Sequence, residues 1–235
     1  MPDLHAATVK RNNHRVRIAV LALAVAVAFA AAARARPIQG PLPTPTATPT
    51  ATPADFAEVA WHHSRALGKP FRHGRLVNGT QLPALGQDFF TWDPVYNRIP
   101  NRGWRRWGTD RLVRVLLSVI ADYRAAVSSA QRVGIMDLSR PHGGPFGRRF
   151  GGLGHASHQN GLDADVLYPR LDGLEARAMT PAEVDQHAAQ ELIDRFLAAG
   201  AVKIFVGPHL HHLHGPKDVV IPLIYHDDHM HVRIR

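Results

Sequence analysis

The sequence predicts an α+β domain, a small antiparallel sheet flanked by helices. Two observations carry that class. Residues 110–131 and the stretch that begins at Thr180 place apolar side chains at helical spacing. Around them lie short runs at 133–136, 163–168, 202–207 and 229–234, each apolar or alternating as a strand is. Helices mixed with strands that need not be parallel define α+β, and no internal repeat is visible.

Taken in order, Ala54–Leu67 reads as a short helix. Arg75–Leu82 reads as a hairpin turning on Asn78-Gly79. Phe89–Trp107 is rich in aromatics and arginines (Phe89, Phe90, Trp92, Tyr96, Trp104, Trp107). It reads as an irregular connection packing aromatics over the core, with a substrate-binding wall as the alternative. Leu112, Leu116, Val119, Ile120, Tyr123 and Val127 define the inner face of the helix Asp110–Gln131. Val133–Met136 follows as a buried strand, then a Gly/Arg loop over 139–154 that contains His142. Asp163–Tyr168 alternates and ends apolar, as a strand would. Thr180 is the expected N-cap of a second helix, with Pro181 at its first position, Glu183 completing a capping box and Gly200 as its stop. Val202–Gly207 is a strand, 209–214 a histidine-rich loop, Val219–Tyr225 a further apolar segment, and His229–Ile234 a final strand.

The N-terminal quarter carries an address rather than a fold. Lys10, Arg11, Arg15 and Arg17 precede the apolar run Ile18–Ala33, and Ala33-Arg34-Ala35 offers a cleavage pattern. As a helix the run spans about 24 Å, short of a hydrocarbon core of roughly 30 Å. Residues 1–36 therefore read as a secretory signal peptide or an uncleaved membrane anchor. Either places the body outside the cytoplasmic membrane, in a periplasmic or extracellular cell-wall setting. Residues 37–53 repeat Pro, Thr and Ala and read as an extended tether, with 54–235 as the working domain.

Composition excludes several classes. The formal net charge is +9, but residues 1–53 hold six Lys/Arg against Asp3. The body is only mildly basic and has no Lys/Arg stripe, which argues against nucleic acid and suits an anionic polymer such as a cell wall. There is no cysteine among the 235 residues. A disulfide framework, a thiolate zinc site, a Cys nucleophile and an N-terminal lipoprotein anchor are thereby excluded. Any transition-metal site must use His, Asp or Glu.

Two clusters meet that requirement: His155, His158, Asp163 and Asp165 in one, and His226, Asp227, Asp228, His229 and His231 in the other. His229 and His231 share one face of a strand, about 7 Å apart along it. Gly161 permits a turn that brings a loop histidine, His158, toward a strand carboxylate. Asp163 and Asp165 have the same strand parity, so spacing alone does not separate them. Two histidines, one carboxylate and an open position for water form the ligand set of catalytic zinc. Ser157 and Gln159 read as loop-stabilising, Asp227 and Asp228 as turn-shaping with one able to orient a histidine, and His209–His214 as a solvated loop.

Ser157-His158-x-x-Gly161-x-Asp163-x-Asp165, with His229-x-His231 at the end, resembles the penicillin-insensitive murein endopeptidases. That family sits within the lysostaphin-type, D-Ala-D-Ala carboxypeptidase and hedgehog-like zinc peptidases. The resemblance is carried by residues 133–168 and 203–234. It implies a hedgehog/D-Ala-D-Ala-peptidase-like fold, with Zn2+ held by His158, Asp165 and His231. It implies His229 as catalytic acid/base, and His155 and His226 as further active-site histidines that orient water or stabilise an oxyanion. Asp163 then becomes support for the ligands. The implied substrate is the cross-linked peptide of peptidoglycan, cut at a D-alanyl–diaminopimelate-type bond. A D,D- or L,D-carboxypeptidase and a non-catalytic zinc-holding wall-binding domain remain as alternatives. Characterised members from Gram-negative bacteria carry cysteines, so the loops of this chain must be held by other means.

Overall fold

The computed structural model describes residues 59–127, 130–150 and 155–235. These fall within the unit Thr48–Arg235. The expected signal or anchor and the Pro/Thr tether lie outside the described residues. Among the described residues no helix is long and apolar enough to cross a membrane.

The strands, in chain order, are β1 (Arg65–Lys69), β2 (Arg72–Val77), β3 (Thr80–Gln81), β4 (Phe89–Thr91), β5 (Trp107–Gly108), β6 (Val133–Ile135), β7 (Asp163–Leu167), β8 (Lys203–Val206), β9 (Val220–Pro222) and β10 (His229–Arg233). Helix α1 is Asp110–Ala126 and helix α2 is Gln186–Ala198. The main sheet runs β4-β6-β7-β10-β8-β9. Its centre is antiparallel, but the outer pairs β4–β6 and β8–β9 are parallel. The sheet is therefore mixed rather than antiparallel throughout. The cause is connection length: α1 lies between β4 and β6, and the histidine-rich loop spans the gap from β8 to β9. Crossovers of a dozen residues or more permit parallel pairing.

The pairing of β7 with β10 decides the rest. Its register sets His229 opposite Leu167, His231 opposite Asp165 and Arg233 opposite Asp163. Directly paired residues lie on the same face, and successive residues alternate between faces. Ala164, Val166, Met230 and Val232 thus fall together on the other face. There they join the main core with Leu112, Leu116, Ile120, Leu192 and Phe196 of the helices. Both helices pack on this side. Opposite, a smaller cluster of Phe90, Trp92, Met136 and Leu167 flanks the polar side chains. Burial of Phe89, Phe90 and Trp92 supports the packing role of the aromatic connection.

Four local expectations are corrected. Residues 65–69 form β1 rather than helix, and 59–64 are not helical. Ser64 and Asp110 exchange hydrogen bonds at 2.9 and 2.7 Å, so this segment is tied to the start of α1, whose N-cap is Thr109. Asn78-Gly79 does turn, with Asn78 at φ +49°, but β2 and β3 do not pair. β2 returns along β1, and β3 pairs with β5. Helix α1 ends at Ala126, short of Gln131, because the extended Val127 starts the chain toward β6. Residues 181–183 form only a 3-10 turn, and Thr180 makes no side-chain cap bond there. The carboxylate of Glu183 is drawn to Arg170 and to the backbone N–H of Met179. Asp185 caps α2 instead, accepting from Ala188 N at 3.0 Å. Gly200 ends α2 at φ +85°, as the sequence suggests.

Asp185→Ala should therefore cost about 1 kcal/mol of stability, whereas Thr180→Ala should change it by less than about 0.5 kcal/mol. Urea unfolding of the two variants checks the assignment. Equal losses would restore Thr180 as the cap.

Candidate metal centre

Asp165 and His231 face each other across β7 and β10, and the loop before β7 brings in His158. The hairpin β1–β2 clasps that loop. Gln159 N donates to Pro70 O at 3.0 Å, Gly74 N to Gln159 Oε1 at 3.3 Å, and Asn160 Nδ2 to Gly68 O at 3.3 Å. Gly143 packs on the other side. A Cβ there would lie 2.2 Å from Gln159 O, so only glycine allows the approach. Gly161 adopts φ +77° and turns the chain into β7. His158 itself is held at φ +65°, an uncommon conformation for a residue with a Cβ. Gln159 thus does stabilise the loop. His142 contributes only its carbonyl, to Leu76 N at 3.1 Å, and its side chain is exposed.

The atoms that converge are explicit. His158 Nε2 lies 3.1 Å from Asp165 Oδ1 and 3.1 Å from His231 Nδ1. His231 Nδ1 lies 3.0 Å from Asp165 Oδ1. Each ring is held from behind. His158 Nδ1 sits 2.7 Å from Leu138 O, which only a donor can satisfy. His231 Nε2 lies 3.0 Å from Asp163 Oδ1. His158 Nε2 therefore turns a lone pair toward Asp165 Oδ1, and His231 Nδ1 meets the same oxygen. The second oxygen, Asp165 Oδ2, is buried with no hydrogen-bond partner among the described residues. A carboxylate oxygen without a donor in a buried site fits a cation, because leaving it bare is costly.

Four further side chains surround this point. His155 Nε2 is 2.7 Å from Asp137 Oδ2, and its Nδ1 is 3.7 Å from Asp165 Oδ2. His155, His158 and Asp165 offer ligand atoms within 4.8 Å of one another, a group that can hold a metal ion. His229 Nε2 is 3.8 Å from Asp165 Oδ1, and its Nδ1 is 2.7 Å from Asp228 Oδ1. His226 stacks on His229 with ring centres 5.0 Å apart, and its Nδ1 meets Ile224 O at 2.9 Å. Asp163 meets His231, accepts from Arg233 Nε at 2.6 Å and from His158 N at 3.3 Å. The histidines of 209–214 do not join them. His209 pairs with Asp227 at 2.7 Å, and His211, His212 and His214 are exposed.

The charges follow from these contacts. Burial opposes ionisation of Asp165, but the surrounding histidines hold its pKa well below the ordinary value. Burial pushes His158 down. Burial also disfavours charge on His231, yet its bonds to Asp163 and Asp165 outweigh that and raise it to about 9. Without a cation, a proton thus occupies the space between His231 and the two carboxylates. A metal ion must displace it. Burial opposes charge on His155, but the bond to Asp137 and the charges of Asp165 and Asp137 together raise it, while burial lowers His226.

The sequence reading missed the residues behind His155. Asp137 is fully buried and ion-paired with the equally buried Arg105, and Asn101 Nδ2 donates to it at 3.1 Å. Arg105 also donates to Phe150 O at 2.9 Å and lies between the rings of Trp104 and Phe146, about 5 Å from each. Phe146 in turn packs against His155 and His158. In place of disulfides, this stack and the cation–π contact of Arg140 on Phe150 at 3.9 Å brace the loop through 150. The one signal in the sequence was a charged residue, Asp137, directly after a wholly apolar strand.

A mixed α+β domain that gathers histidines and a carboxylate on the polar face of its sheet defines a candidate metallohydrolase. The family model described as penicillin-insensitive murein endopeptidase matches residues 67–204, more than half of the chain, and the protein belongs to that family. Peptidase action on peptidoglycan is the activity the family supports. A search among curated proteins gives no match.

The support shell is testable by pH. Despite burial, bonds from Arg105 and His155 lower the Asp137 pKa from 3.8 to about 2. A lowered carboxylate pKa stabilises the fold above the unfolded value, and that stability is lost as pH falls through the folded value. Linkage puts the contribution at about 2 kcal/mol, present above pH ~4 and lost toward pH ~2. Carbon-13 NMR of the Asp137 carboxyl should show a midpoint near 2. A midpoint at or above 4 would contradict the account.

Proposed function

We propose that this chain is an exported zinc peptidase that hydrolyses D-alanyl–diaminopimelate-type cross-links of peptidoglycan. His158, Asp165 and His231 hold the metal. The observation that carries the reading is the mutual 3.0–3.1 Å spacing of His158 Nε2, Asp165 Oδ1 and His231 Nδ1. His155 is the rival third ligand, but its ring is bound to Asp137 and its Nδ1 stands 3.7 Å from Asp165. The donors are hard oxygen and borderline nitrogen, suited to zinc, and the chain has no thiolate to offer. When bound, the ion would polarise the scissile carbonyl and make water acidic enough to attack near neutral pH.

The side chains divide the remaining work. His229 donates Nδ1–H to Asp228 and keeps the lone pair of Nε2 toward the centre, so it can accept a proton from the attacking water. It then returns that proton to the leaving amine. His226 donates through Nδ1 to Ile224 O, so its Nε2 is an acceptor that orients water. His155 is pushed toward its charged form and can donate Nδ1–H to an oxyanion. The apolar N-terminal run supports export, and the proline-rich segment supports a tether that lets the domain reach the wall.

The test uses zinc-loaded protein, cross-linked muropeptide dimers and mass analysis of the products. Dimers should become monomers. His229→Ala should keep its zinc and lose activity by about 10²-fold or more, whereas His158→Ala should lose zinc. Release of terminal D-Ala alone would replace this reading with a carboxypeptidase. No turnover by a folded, zinc-loaded protein would sink both.

A further inference from the structure

The segment between β7 and α2, residues 168–185, leaves the main sheet and returns without adding a strand to it. It is fastened at three places. Arg132 grips Glu175 with two bonds of 2.6 Å. Arg170 pairs with Asp172 and Glu183 and donates to the backbone carbonyl of Arg177 at 3.1 Å. The third fastening is Arg177 itself, whose Nη1 donates to Asp228 Oδ2 at 3.1 Å. The first two fix the arm to itself and to the scaffold. The third ends on the carboxylate whose other oxygen holds His229 Nδ1.

We propose that Arg177 is a positioning residue of the hydrolytic centre: acting through Asp228, it fixes the His229 ring with Nε2 turned toward Asp165. The proposal rests on the reading of His229 as the proton carrier.

Asp228 needs such help. It immediately precedes His229 at the entry to β10, and neighbouring residues there project to opposite faces. To reach the His229 ring, its side chain must bend back and stay there. A single bond to one oxygen leaves the carboxylate free to rotate toward water. With Oδ1 on His229 and Oδ2 on Arg177, both its orientation and its charge are fixed. Asp228 and Arg177 are about one quarter exposed, at 25 and 27 %. A charge-assisted bond there is firmer than one on the open surface. The three ion pairs fix the arm and Arg170 holds the carbonyl of Arg177, so the guanidinium reaches Asp228 already placed. Without it, Asp228 can turn to solvent, and His229 can exchange its tautomer and lose the lone pair that faces the centre.

Arg177 also borders a cleft of about 350 Å³ shared with Met179, Thr180, Tyr225 and Asp228. A direct contact with substrate is therefore the rival role. A double-mutant cycle separates the two. In the zinc-loaded full chain, Arg177→Ala should lower kcat on cross-linked muropeptides by about 10- to 100-fold, with little change in KM. Arg177→Lys should recover part of the loss. In an Asp228→Ala background, removing Arg177 should cost less than about twofold more. A multiplied loss in that background, or an unchanged kcat for Arg177→Ala, would overturn the proposal.

Nitrogen-15 NMR of the His229 ring gives a readout that needs no turnover. The wild type should show protonated Nδ1 and bare Nε2, and Arg177→Ala should show mixed tautomers. An unchanged ring would also overturn the proposal. If the ring responds as expected but the wild type leaves muropeptides intact, the endopeptidase reading fails and the positioning role stands.

Discussion

The register of β10 against β7 is the constraint on which the structure depends. One residue of slip would exchange the faces of every side chain on β10. His231 would enter the helical core, and Met230 would stand beside Asp165. The apolar half of the same strands prevents this. Ala164, Val166, Met230 and Val232 are wholly buried against α1 and α2. Burial of apolar side chains at roughly 1.5–3 kcal/mol each thus holds a polar arrangement that has no stability of its own. The sheet's hydrophobic face sets the geometry of its chemical face.

That chemical face is expensive. Asp137, Asp163 and Asp165 are buried together with Arg105, His158 and His231. Each charge withdrawn from water carries a penalty that only close partners offset. The partners form two layers. Those nearest the centre turn a ring nitrogen or a carboxylate oxygen toward one point. Those behind (Leu138 O, Asp163, Asp137 and Asp228) take up the opposite ring nitrogens and fix each histidine's tautomer. The hairpin β1–β2, which adds nothing to the main sheet, earns its place by clasping the loop that presents His158.

Much of this was legible in the sequence, and the failures have physical causes. The strands of the site were visible because Asp163–Tyr168 and His229–Ile234 alternate. The helices were visible from their apolar stripes, but their ends were not. Thr180-Pro181-x-Glu183 has the local pattern of a capping box, and tertiary pairing of Glu183 with Arg170 diverts it. Asn78-Gly79 has the local pattern of a hairpin turn, yet β2 finds a better partner in β1. Asp137 and Arg105 lie 32 residues apart, and nothing local marks two buried opposite charges as a pair. His158, Asp165 and His231 could be named as candidates from the sequence; the side chains behind them, which come from distant loops, could not.

The central claim is that three side chains from the loop, β7 and β10 meet at one ion. Anomalous diffraction at the zinc edge from zinc-loaded crystals tests it most directly. The account predicts a single strong peak about 2.0–2.2 Å from His158 Nε2, an Asp165 oxygen and His231 Nδ1, with His155 and His229 outside bonding distance. A peak bound by His155 in place of His231, or zinc at the histidine-rich loop with none between β7 and β10, would contradict it.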